Sequence, residues 1–150
     1  MLLRGWSGVP PVVRFIVAAE VLVFGYGTVL HLAQLLVGGL QPYAWAPAWL
    51  AAYFTFLTLA DPLAAVLLWA RRAAGLYLGA LVLVTDAVAN WYAIYGLHGG
   101  TATARVSQAI ISVLAVAAVA TAPRVRPWLS PCDARRCLES NARDRSGEAL

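Results

Sequence analysis

The sequence predicts an all-α membrane protein: a bundle of four transmembrane helices followed by a polar C-terminal tail. Three observations carry this. Of 150 residues, 61% are hydrophobic and 12% charged, against about 25% charged in an average soluble domain. Between Phe15 and Ala104 the only formal charges are Glu20, Asp61, Arg71, Arg72 and Asp86. The apolar runs each reach the ~20 residues needed to cross ~30 Å of hydrocarbon, and so short a chain cannot hide them all in a globular core. Because they are continuously apolar and not alternating, they select helices over a barrel. The same composition excludes a disordered chain, an ordinary soluble enzyme and a nucleic-acid partner.

Each span is set by its punctuation. The first, residues 12–37, follows Pro10-Pro11 and stops before Gly38-Gly39. It exceeds the ~7–15 residues of a signal-peptide core, so it is expected to be retained. The second, 47–69, ends at Arg71-Arg72. The third, 73–95, ends in Gly96-Leu97-His98-Gly99-Gly100, and the fourth, 101–122, at Pro123. Residues 1–123 thus form the transmembrane domain. Residues 124–150 hold six arginines and four acids and read as a disordered cytoplasmic tail. Cys132 and Cys137 lie in that tail with no other cysteine or histidine nearby. Two plain thiols are expected there, with no metal site and no cofactor elsewhere.

Arginine placement sets the expected topology. Arg4 and Arg14 precede span one, Arg71 and Arg72 join spans two and three, and Arg124 and Arg126 open the tail. The positive-inside rule then puts both termini of a cell-membrane protein in the cytoplasm. Tyr43, Trp45, Trp49 and Tyr53, with Trp91, Tyr92 and Tyr95, mark the outer interface, and Trp6, Trp69 and Trp128 the inner.

The polar residues within the spans are the informative ones. A carboxylate at mid-bilayer costs ~2.5–3.5 kcal/mol, so each needs a partner, a proton or a water-filled cavity. Counting ~1.5 Å per residue from the nearest inner arginine puts Glu20 ~9 Å deep, Asp61 ~15 Å, Asp86 ~21 Å, Gln108 ~24 Å, His31 ~25 Å and Asn90 ~27 Å. Helical spacing gives each span one polar face. Glu20, Gly27, His31 and Gln34 share a face of span one, and Thr58 and Asp61 one of span two. Asp86 and Asn90 share a face of span three, and Arg105, Gln108 and Ser112 one of span four. Pro62 should kink span two and leave the Thr58 carbonyl unpaired beside Asp61. Arg105 either pairs with Asp86 or snorkels to the outer headgroups. Gly75-x3-Gly79 matches the close-packing motif of membrane helices.

The site candidates are therefore Asp61, Asp86, Asn90, Glu20, His31, Thr58, Tyr26, Gln108 and Arg105. Three functions fit them. In the first, the carboxylates form a carrier-like site for a proton, a cation or a small amphipathic ligand, within a homo-oligomer. The segment Ala19-Glu20-Val21 resembles the essential glutamate region of small multidrug resistance transporters, over one helix. The acids of spans two and three depart from that family. In the second, a membrane-embedded lipid-binding protein or isomerase-like enzyme uses Asp61, Asp86, Asn90, Tyr26 and Trp91. That set is similar in kind to the lining of small four-span sterol isomerase-like proteins. In the third, an accessory or scaffold subunit spends its polar groups on helix-to-helix hydrogen bonds with a membrane-protein partner. No nucleophile elbow, phosphate loop or haem motif points to a particular enzyme.

Overall fold

The computed structural model describes residues 6, 8–39, 42–97 and 100–129. Arg4, His98, Cys132, Cys137 and the segment from residue 130 onward lie outside it. The described chain is an all-α four-helix bundle: α1 (Pro11–Gly38), α2 (Ala48–Trp69), α3 (Ala73–Trp91) and α4 (Ala102–Leu129). All four are long and apolar enough to cross a membrane, as expected of a multi-pass membrane protein. A π-helical turn, Tyr92–Gly96, extends α3.

Local chemistry explains the helix ends. Pro11 starts α1 where a missing N–H costs nothing, and Gly39 leaves it at φ 63°. Pro47 precedes α2. Thr101 caps α4, its Oγ1 accepting from the Ala104 N–H at 3.1 Å. Arg71, at φ 58°, turns the chain between α2 and α3. Its guanidinium donates to the Trp128 carbonyl at 2.6 Å and lies 5.3 Å from the centre of the Trp6 ring. The connection therefore ties both ends of the described chain to one face of the bundle, the Arg71 end. The opposite face is the Tyr43 end.

Helix α2 runs through Pro62 to Trp69, as its expected span does. The fourth helix differs from the sequence expectation. Helix α4 runs on past Ala122, through Pro123 and Pro127, to Leu129. A proline removes one hydrogen bond, but the turns on either side can hold the helix when its buried face is packed. Beyond Pro123 that face is supplied by Val125 and Leu129, both fully buried.

Sequence neighbours pack together: α1 on α2, α2 on α3, α3 on α4, whereas α1 and α4 meet sparsely. Gly75 makes the α2–α3 approach possible, and Gly79 the contact of α3 with Phe24 of α1. A Cβ at Gly75 would press on the backbone of Leu67 and Leu68, and one at Gly79 on the Phe24 ring. Large apolar side chains point outward; Leu36 is 84% and Phe15 74% exposed. Such a surface suits lipid.

Candidate functional site

Helices α1, α2, α3 and α4 and the 42–46 turn enclose a cavity of about 540 Å³. Its polar lining gathers at the Tyr43 end: His31 and Gln34 from α1, Asp61 from α2, Asp86 and Asn90 from α3, and Tyr43 itself. Towards the middle of the bundle the walls become apolar, with Phe24, Val82, Leu83, Ile111 and Leu114. Tyr26 and Leu30 of α1 and Ser107 and Ile110 of α4 also line it. All four are exposed. The cavity thus opens sideways, along the α1–α4 seam, the sparsest contact between neighbouring helices. The sequence places His31 and Asp61 about 10 Å apart in depth by helical rise. The structure brings them together, with His31 Nε2 3.9 Å from Asp61 Oδ2.

The hydrogen bonds order this cluster. Tyr43 donates its hydroxyl proton to Gln34 Oε1 at 2.6 Å. Burial first, and the Asp86 carboxylate second, raise the Tyr43 hydroxyl above its ordinary tyrosine value, so it keeps that proton. Having one proton to give, it accepts from His31 Nδ1, 3.2 Å away. His31 is thereby assigned the Nδ1–H tautomer, and its Nε2 faces Asp61 Oδ2 at 3.9 Å. Asp61 is only 5% exposed. No described residue donates a hydrogen bond to it. Asp86 is served differently: Asn90 Nδ2 donates to its Oδ1 at 2.8 Å and to its backbone carbonyl at 3.0 Å. Gly27 lies against Asp61, and a Cβ there would collide with Oδ2.

Glu20 occupies a different place. It lines a smaller, largely apolar cleft of about 160 Å³ further along the α1–α4 seam, towards the Arg71 end. Its Oε1 is buried with no partner among the described residues. Val23, Leu83 and Leu114 border both spaces and separate them.

Of the residues singled out from sequence, Asp61, Asp86, Asn90, His31 and Tyr26 come together in the main cavity. Glu20, Thr58, Gln108 and Arg105 do not line it. Gln108 is spent on helix contacts, its Nε2 donating to Ala87 O at 2.8 Å and Ser112 Oγ at 3.1 Å. Thr58 buries its hydroxyl with no partner among the described residues. Arg105 is exposed and forms no ion pair with Asp86. Another helix-binding contact joins Tyr53 to Thr85 Oγ1 at 2.8 Å. Because Thr85 gives its own proton to Leu81 O, Tyr53 is the donor. Sequence reasoning missed Tyr43, which it took for an interfacial aromatic, and did not select Gln34 or Gly27, although both share the His31 face.

Among the described residues no group of three or more His, Cys, Asp or Glu side chains is placed to hold a metal ion. The arrangement offers a buried carboxyl group, an imidazole nitrogen and an apolar chamber reached from the side of the bundle. No protein-family model, curated protein or solved structure matches this chain.

Proposed function

We propose that this is a carrier-like binding protein of the cell membrane. On this reading both termini are cytoplasmic, so the Tyr43 end is the outer one. The cavity takes a small amphipathic ligand from the outer leaflet through the α1–α4 seam. Its cationic head pairs with Asp61 and its apolar body lies along Val82, Leu83 and Leu114. The observation that carries the reading is Asp61: buried in a cavity wall, and given no hydrogen bond by any described residue. A carboxylate so placed is costly unless a cation or donor meets it. The volume, about 540 Å³, falls within the roughly 300–1,000 Å³ usual for small-molecule sites. The polar groups also divide by use. Gln108 and Tyr53 bind helix to helix, as a scaffold would require, whereas Asp61 and His31 face the chamber.

The test is calorimetric binding of decylamine and decyltrimethylammonium to the protein in lipid nanodiscs. At least one cation is expected to bind, and Asp61→Asn to weaken it about tenfold or more, the usual loss when a buried charge pair is broken. Folding should be retained, since the amide has the same shape and no donor is orphaned. Binding that ignores Asp61→Asn, or no binding of either cation, refutes the reading.

A further inference from the structure

We infer that the ligand's head group is an ammonium carrying at least two N–H bonds, a primary or secondary amine in its protonated form, held as a bridge between Asp61 Oδ2 and His31 Nε2. This rests on the cavity reading above and specifies its ligand class.

The inference follows from counting protons along one chain of side chains. Gln34 Oε1 takes the Tyr43 proton, and the Tyr43 oxygen takes the His31 Nδ1 proton. In the neutral ring His31 Nε2 is then a lone pair, facing an Asp61 oxygen at 3.9 Å. A proton shared directly between those two atoms would draw them to about 2.7–2.9 Å, as charge-assisted hydrogen bonds do. At 3.9 Å they stand as two acceptors that look at each other. Two acceptors are reconciled by a donor with two hydrogens. An ammonium nitrogen placed about 2.9 Å from each subtends about 85° between them, close enough to the ~110° of its own N–H bonds that each hydrogen bond bends by only about 12°. A tertiary ammonium has one N–H and can serve one acceptor. A quaternary ammonium has none, and its methyl groups hold the charge away from both.

The surroundings favour the same geometry. Gly27, lacking a Cβ, lets the Asp61 carboxylate seat against α1 beside His31. Asp86, the other acid of the cavity, already accepts from Asn90, so the unsatisfied acceptors are concentrated on the His31–Asp61 pair. Tyr43 and Gln34 touch the bridge only through His31: they position its imidazole.

The experiment compares decylamine, N,N-dimethyldecylamine and decyltrimethylammonium on the protein in nanodiscs, with Asp61→Asn and Tyr43→Phe variants. Decylamine should bind tightest, about tenfold or more above the quaternary ion, as a pair of hydrogen bonds to charged groups would give. The tertiary amine should fall between. Tyr43→Phe keeps the ring against Phe54 but removes the acceptor for Nδ1–H. His31 can then turn its proton to Nε2 and occupy Asp61 itself. Decylamine affinity should drop towards that of the quaternary ion, whose own affinity stays constant. A general packing defect would lower both. If all three cations bind equally, and Asp61→Asn weakens all three, the bridge is refuted while the cavity reading stands. If none binds, or Asp61→Asn changes nothing, both fall together.

Discussion

A methyl group at position 27 would need the space that Asp61 Oδ2 holds. Gly27→Ala should therefore push the carboxylate off α1 and lower decylamine affinity about tenfold, the scale of one lost charge-assisted hydrogen bond. Gly25 is the internal control. A Cβ there meets nothing within 4 Å, so Gly25→Ala should leave binding alone and stabilise the helix by up to ~1 kcal/mol through propensity. Calorimetry and thermal unfolding on the two variants check this; equal behaviour would mean that Gly27 does not position Asp61. At this scale the sequence was partly legible. The spacing of Gly27, His31 and Gln34 places them on one helical face before any coordinates are known. Tyr43 was not legible, because an interfacial aromatic and a site aromatic look alike in sequence. What separates them is the fold-back of the 42–46 turn, which buries Tyr43 over His31.

Helix-to-helix packing rests on small residues where large ones would be expected to contribute more. Outside water there is no hydrophobic drive between helices, so close approach and dispersion must hold them. Gly75 meets the α2 backbone and Gly79 receives the Phe24 ring. Gly79→Leu should cost roughly 1–3 kcal/mol by overpacking, seen as a lower unfolding temperature in detergent. If Gly79→Leu melts like the parent, the α1–α3 contact through Phe24 is not a support of the fold. The G-x3-G spacing made this packing readable from sequence. The prolines of the last span were less readable: Pro123 and Pro127 both lie within α4. A proline rule describes the local backbone, whereas the packed residues on either side decide whether the helix carries on.

At the scale of the whole molecule, the four-helix bundle was legible because hydropathy and length act over ~20 residues and average out local detail. The cavity was not, since it depends on which two neighbouring helices meet only sparsely. Topology is testable directly. A reporter active only outside the cytoplasm should be silent when fused after Leu150 and active when inserted at Ala44 in the turn between α1 and α2. The opposite pattern would place the Tyr43 end in the cytoplasm and make the inner leaflet the source of ligand.

The run of contacts from α1 to α2 to α3 to α4, with so little between first and last, bears on biogenesis. Each helix after the first leaves the ribosome to find an extensive partner already in the bilayer, immediately before it in the chain. No helix has to wait for a distant one, and the final helix arrives with its only extensive partner, α3, beside it. Ring closure is never required. The bundle is finished as an open chain of hairpins, and the slot that a ligand would use is the join that assembly leaves unsealed.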